Sequence, residues 1–470
     1  MDVRGGSGVN RIASGPVKTL LYVAAVLGIF LTTVSPASAL PAFARKYGMP
    51  CSSCHEAWPK LSPFGQQFKD NGYQMGNDRD APIFQQPAYW PVTFRITPIW
   101  HRESTDKAQV DGSNGLGGNE ATVTTHGFDW SGLDFHTAGT LANNYSFYVL
   151  PSSDNTAAFH FESVWARIDN IAGSPWLNIK LGKFELDNLL SEKRILTLTN
   201  VSGVYTNYHF QPVGEAYKFG IGDNQVGVEW MGHSKNDRTR ISASLLSASD
   251  GQPGLPTSRA YNGYFAASRA FEVGSLGLQR VGGFAYIGQA PTYFQFTNGG
   301  TGLSGTGIGN KGFQRYGLIG MWYIKKFDIT TIYFHSHDSA YLGTNTPSGG
   351  SLNPTGGLPA GAHAPTWNGG LFESHYNFNP QLILINRYEL VRMSQQAFGG
   401  AATPTYTPNP GDLGNANVLT FGARYYPFIS SRAGFAYHGE YAIIWQKGVS
   451  PVTFTNQTTS SLLFGFDFAF

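Results

Sequence analysis

The sequence predicts a mostly-β fold: an antiparallel barrel of about sixteen strands that spans an outer membrane, with a small α-helical module at its N-terminal end. Three observations predict it. Runs between Val92 and Phe470 alternate apolar and polar side chains at the two-residue period of a strand. Seven short links alternate with eight longer Gly/Ser/Thr/Asn/Pro stretches. The 470 residues are only 13% charged yet 14% aromatic, with 58 glycines, where ordinary soluble domains carry ~25% charge. A formal net charge of +2 offers no case for a nucleic-acid partner. A mean hydropathy of -0.20 excludes a helical membrane protein.

Residues 1–39 have the pattern of a signal peptide. Arg11 and Lys18 supply positive charge, Leu20 to Leu31 is a short apolar run, and Ala37-Ser38-Ala39 fits the small-residue cleavage rule. The apolar run falls short of the ~20 residues a membrane anchor needs. The mature chain is expected to begin near Leu40. Export places both cysteines in an oxidising compartment, where a Cys51 to Cys54 disulfide is the plain alternative to any other chemistry.

Residues 40–89 form the N-terminal module. Its central feature is Cys51-Ser52-Ser53-Cys54-His55, which holds both cysteines of the chain. Downstream, Leu61 to Asp70 is expected to be one short helix with Leu61, Phe64 and Phe68 on its apolar face and Gly72 ending it.

Residues 90–470 form the barrel. In the final stretch SSLLFGFDFAF, Phe464, Phe466, Phe468 and Phe470 share one face while Gly465, Asp467 and Ala469 share the other, so one side suits lipid and the other water. Phe435 to Gln446 repeats this pattern, with Phe435, Tyr437, Tyr441, Ile443 and Trp445 opposite His438, Glu440 and Gln446. In Gln381 to Val391, Arg387 and Glu389 oppose Leu382, Leu384, Tyr388 and Leu390.

The short links are expected at Ala142 to Asn144, Ala172 to Pro175, His233 to Asp237, Glu272 to Ser275, Lys325-Lys326, Asn379-Pro380 and Ser430-Ser431. The loops between them are expected at Arg102 to Phe128, Pro151 to Ala158, Glu185 to Asp223, Ser249 to Ala260, Ala290 to Gly312, Ser336 to Pro365, Ser394 to Ala416 and Gly448 to Thr458. The two sets imply an even strand number with both termini on the short-link side. The run EAYKFGIG, inside Glu185 to Asp223, is the one place where a further strand would change the count.

The cysteine motif carries the chemistry. Two thiols at CxxC spacing can form thioethers to the two vinyl groups of a haem, and the histidine that follows then lies under the iron as proximal ligand. A zinc site lacks further ligands at suitable spacing, and a thioredoxin-like site lacks a βαβ pattern. One covalently bound haem c on Cys51, Cys54 and His55 is therefore expected. Met75 is the candidate sixth ligand, with simple packing over the ring as its alternative and the barrel histidines His136, His160 and His438 as other donors.

The run LPAFARKYGMPCSSCHEAWPKLSPFGQQFKDNGYQM, joined to a barrel that ends in Phe, resembles the fused monohaem cytochrome-porin family, the outer-membrane Fe(II) oxidases of iron-oxidising bacteria. The close similarity spans Leu40 to Met75; over the barrel it is one of plan only. The resemblance implies that extracellular Fe(II) gives an electron to the haem, which passes it inward to a periplasmic c-type cytochrome or similar carrier. The residues themselves also allow a second reading, a selective porin whose haem module is a sensor or structural plug. Arg387, Glu389, Arg424 and Glu440 are lumen-type charges that would tune conductance, or else pair across strands and stiffen the wall. Asp106, Glu120, Glu192 and Asp338 are expected to be solvated loop charges.

Overall fold

The computed structural model describes residues 43, 46–49, 51–57, 60–75, 92–110, 119–153, 158–186, 224–247, 261–295, 303–339, 364, 366–379, 381–393, 396–398, 405–407, 415–429, 434–447 and 455–469. The signal segment, Glu192, the EAYKFGIG run and Phe470 lie outside the described residues.

Sixteen antiparallel strands close into one barrel. They are β1 (Val92–Gln109), β2 (Glu120–Ala142), β3 (Tyr145–Ser153), β4 (Phe159–Ile168), β5 (Asn178–Phe184), β6 (Gln225–His233), β7 (Thr239–Ser247), β8 (Tyr261–Glu272), β9 (Leu278–Gln295), β10 (Leu303–Ile324), β11 (Phe327–Asp338), β12 (Thr366–Asn377), β13 (Leu382–Met393), β14 (Asn415–Ile429), β15 (Gly434–Lys447) and β16 (Gln457–Ala469). Closure comes from β16 pairing with β1, with Phe464 opposite Trp100 and Ala469 opposite Arg95. A closed sheet has no edge, so its backbone groups are satisfied by neighbouring strands even in hydrocarbon. Strand β5 pairs directly with β6, from Phe184 opposite Gln225 to Asn178 opposite Met231, so the ring closes without the EAYKFGIG run.

Strand ends bracket all seven expected short links; Pro380, Ser430 and Ser431 themselves lie outside the described residues. Two are two-residue turns, Asn143-Asn144 and Lys325-Lys326, in which Asn144 (φ 66) and Lys325 (φ 56) are left-handed. Asparagine tolerates that region well because its short polar side chain bonds locally. The starts of β1 and the end of β16 lie on this same side, so both ends of the barrel domain face the periplasm if the long loops face outward.

Two expected loops prove to be strand. β1 and β2 extend through most of Arg102 to Phe128, and β9 and β10 through much of Ala290 to Gly312. At 18, 23, 18 and 22 residues these strands greatly exceed the ~9–11 that cross a bilayer at a tilt. Their surplus lies on the long-loop side. These segments are polar and so resemble loops, but Ser104–Thr124 and Thr105–Thr459 hydroxyl pairs, 2.9 and 3.0 Å, tie them together. β-Branched Thr suits a pleated ladder whether or not lipid touches it. A second small departure lies within Ser394 to Ala416, where Gln396–Phe398 pairs with Thr405–Thr407. Prolines within strands fall at irregularities: the register shifts at Ile96/Pro98, Leu150/Pro151 and Pro291/Tyr293. Proline has no N–H to give a regular ladder.

The alternation sorts the side chains as expected. Phe464 is 53% exposed on the outer face, and Tyr437, Tyr441, Trp445, Leu384 and Tyr388 are exposed with it. On the inner face Asp467, Glu440, Arg387, Glu389 and Arg424 are buried.

Candidate functional site

In the N-terminal segment, His55 follows helix α1 (Cys51–Cys54) at once in the short ribbon His55–Ala57, which pairs with Lys60–Leu61. Helix α2 (Pro63–Asp70) starts two residues later than the sequence suggested. Ser62 is its N-cap: the Gly65 N–H donates to Ser62 Oγ at 3.1 Å, and Pro63 occupies the first turn, where no N–H is missed. Leu61 therefore precedes the helix, Phe64 is exposed, and Phe68 alone of the three expected apolar residues is buried.

Helix α2 is clamped onto the cysteine motif. The Ser62 hydroxyl donates to Ser53 O at 2.9 Å, and the Ser62 N–H donates to Cys54 O at 2.8 Å. A Cβ at Gly65 would lie 2.0 Å from Cys54 O, so only glycine allows the two helices this approach. His55 is 8% exposed, and Cys54 is half-buried with a free thiol. Burial pushes that thiol up to about 11, so it is protonated at neutral pH. The side chain of Cys51 lies outside the described residues.

The module in turn is seated on the inner wall. Lys69 Nζ pairs with Glu185 at 3.0 Å, and Asp70 pairs with Arg240 of β7. Gly72 (φ +76) lies over the buried Arg167–Asp169 pair, which bonds at 2.5 Å; a Cβ on Gly72 would stand 2.7 Å from Arg167 Nη2. Tyr73 then stacks on Tyr148 of β3 and Trp165 of β4, with ring centroids 6.3 and 6.1 Å apart, and on Phe43 at 5.0 Å. Met75 is half-buried against this same aromatic cluster. The cluster is a hydrophobic seat into which the chain beyond α2 is locked.

The three barrel histidines that could serve as a sixth ligand sit on strands of the wall. His160 is exposed on β4. His438 of β15 faces Asp467 at 3.5 Å. His136 of β2 bonds through Nδ1 to the Tyr148 hydroxyl at 3.0 Å, with Nε2 3.8 Å from Asp134.

The lumen-type charges form ion pairs within the wall. Arg387 bonds Glu373 at 2.7 Å and lies 3.9 Å from Glu389; Glu373 also meets His375 at 2.7 Å. Arg424 pairs with Asp467 at 3.0 Å, Asp467 with Arg95 at 3.1 Å, and Arg95 with Asp134 at 3.2 Å. These pairs form two sets that cross strands on the inner face, one on β12 and β13 and one from β14 through β16 and β1 to β2. Asp338 is not a solvated loop charge either: it is buried and paired with Arg315, whose guanidinium lies over Phe313 and Trp367. No residue pattern in the sequence pointed to that pairing, because Arg315 and Asp338 meet only through the register of β10 on β11.

A closed antiparallel ring with aromatic side chains outside and charges inside suits lipid around it and a polar lumen within. The chain is an outer-membrane β-barrel. No family model matches the sequence, and no curated protein matches it. Among solved structures the fold is similar to an anion-selective porin from Comamonas acidovorans, at 11% identity over 81% of this chain and 99% of that one, with a TM-score of 0.47. It is similar also to OmpT of Vibrio cholerae, at 10% identity over 81% and 98% with a TM-score of 0.46. A third is OmpF of Salmonella typhi in complex with Daunomycin, at 10% identity over 80% and 97% with a TM-score of 0.38.

Proposed function

We propose that this barrel is an electron conduit, a monohaem c-type cytochrome fused to a porin-like barrel, in which extracellular Fe(II) is the electron-donating substrate and a periplasmic c-type cytochrome or similar carrier is the acceptor. The observation that carries the reading is the juxtaposition of one CxxCH motif with the lumenal wall. Cys51 and Cys54 lie one helical turn apart on α1, His55 follows directly and is buried, and α2 is locked onto both the motif and the wall. That donor set fits a haem c: Cys51 and Cys54 would hold it by thioethers and His55 would be its proximal ligand, with Met75 the candidate opposite ligand. Such a group supplies one-electron redox chemistry.

The chain's own residues do the positioning. Gly65 and Ser62 hold α2 against the motif, and Lys69, Asp70 and Tyr73 hold α2 and the chain beyond it against β3, β4 and β7 and against Glu185. A donor kept outside by a hydrocarbon core ~30 Å thick is reached only by a redox group inside the barrel. The test is to purify the full chain, measure covalent haem by its pyridine haemochrome spectrum, and add Fe(II). Haem bands that reduce on mixing support the assignment. Protein without covalent haem would overturn the redox reading, and haem that Fe(II) never reduces would overturn the donor.

The porin-like fold itself favours a second reading, a selective porin in which residues 40–89 are a plug or sensor. Planar-bilayer recording separates the two. Large steady conductance with the module intact supports the porin, and conductance that rises only on removal of residues 40–89 supports the plug.

A further inference from the structure

We propose that Tyr148 is a redox-active tyrosine, releasing one electron to a strong oxidant while its phenolic proton passes to His136. The inference deepens the redox reading and rests on it for the oxidant's origin in the cell. Its basis is a cluster of three rings at the contact between module and wall. Tyr73, Tyr148 and Trp165 lie mutually within 5.9 to 6.3 Å, centroid to centroid, with interplanar angles between 14° and 21°. Tyr73 belongs to the segment that follows α2, so the stack links the cysteine-bearing module to the barrel.

The surroundings of the rings differ in a way that selects one of them. Trp165 has two cations over it, Arg167 at 5.8 Å and Lys180 Nζ at 5.6 Å. Both cations are ion-paired, Arg167 with Asp169 and Lys180 with Glu229, so the choice among the rings rests on the proton acceptor beside Tyr148. Tyr148 is only 8% exposed, and its hydroxyl meets His136 Nδ1 at 3.0 Å. The carboxylate of Asp134 lies 3.8 Å from His136 Nε2, which favours the tautomer with its proton on Nε2 and leaves Nδ1 to accept from the phenol. Asp134 is itself held by Arg95 at 3.2 Å and accepts from the Ser152 hydroxyl at 2.5 Å. The buried phenol therefore has a base in place, oriented by a third group, which is the arrangement a neutral tyrosyl radical needs.

The step balances within the pair and one oxidant. Tyr148 gives one electron to a one-electron oxidant of the peroxide-derived class; its O–H bond breaks and an N–H bond forms at His136 Nδ1. The products are a neutral tyrosyl radical, an imidazolium beside Asp134, and the oxidant reduced by one electron. Return of one electron and that proton restores the resting pair. Such a site draws oxidising equivalents away from the module and parks them on the barrel wall.

The test needs no haem turnover. The full chain, labelled with 15N-histidine, is mixed with a ruthenium polypyridyl sensitiser and persulfate, illuminated and frozen for pulsed electron paramagnetic resonance. With 24 tyrosines in the chain, a tyrosyl signal alone assigns nothing, so the readout is a radical coupled to a histidine nitrogen. The wild type is expected to show that coupled radical. Tyr148→Phe should lose it, and His136→Phe should keep Tyr148 but lose the coupling, with a several-fold lower radical yield. A wild type without the coupling, or a Tyr148→Phe protein that retains it, overturns the proposal. The wild-type measurement stands by itself if a variant fails to fold. His55→Ala protein, free of covalent haem, should give the same coupled radical, so a failure here counts against Tyr148 and a failure of haem attachment counts against the redox reading.

Discussion

His55 and Met75 are expected to fail differently when replaced. On the proposed haem reading, His55→Ala removes the proximal ligand together with part of the element recognised for haem attachment, so covalent haem should be lost while the barrel still closes through its own strands. Haem staining beside heat-modified gel migration reads both outcomes at once. Met75→Ala should keep the haem. If Met75 ligates, the spectrum shifts towards a high-spin or water-bound form and the potential falls, because a thioether favours reduced iron; an unchanged spectrum would leave Met75 as the packing residue that its contact with the aromatic cluster already makes it. Gly65→Ala is expected to be as damaging as either. Its methyl would meet the Cys54 carbonyl, a backbone atom that cannot swing aside, and overpacking of this kind costs about 1–3 kcal/mol. Lower haem content and faster proteolysis of residues 40–89, with the barrel band unchanged, are the measurements that check it.

At the scale of the element, β16 offers two tests on neighbouring positions that face opposite ways. Asp467 points inward and holds Arg424, Arg95 and His438. Arg95 keeps Asp134, but Asp467→Ala takes from the buried Arg424 its carboxylate partner, a loss of about 3–5 kcal/mol where a pair is well buried. Phe464 points outward, and Phe464→Arg sets a charge against lipid, about 2–4 kcal/mol at the midplane. Both should lower the urea concentration at which the folded band disappears. Only the outward change should also hinder insertion into vesicles, since only that residue meets lipid. The period-2 pattern made this two-sidedness legible in advance. It did not disclose where β1, β2, β9 and β10 end, because polar strand above a membrane and polar loop have much the same composition.

At the scale of the whole molecule, strand number and pairing direction settle which connections share a side. An epitope placed in the β11–β12 connection should be accessible on intact cells, and one placed at Lys325-Lys326 should be reached only after the outer membrane is opened. Labelling that ran the other way would invert the barrel. Removal of residues 40–89 should open conductance if the seat formed by Tyr148, Trp165, Glu185 and Arg240 holds the module in the lumen of the intact protein.

By itself, the sequence determined what depends on local order along the chain. Alternation of side chains assigns faces within a strand, and turn residues mark where the chain reverses, so the strand pattern, its side preference and the CxxCH motif are all read from neighbours in sequence. Tertiary structure alone decided what depends on the register of distant strands and on the docking of one part upon another. Arg315 meets Asp338, Arg95 bridges Asp134 and Asp467, and His136 takes the Tyr148 hydroxyl because particular pairings bring them together across the sheet. Nothing in the identity of those residues named their partners. The seat of the module is of the same kind: Gly72 and Tyr73 could be known as a turn and a ring, but the Arg167–Asp169 pair beneath one and the indole beside the other were chosen by closure of the barrel around them.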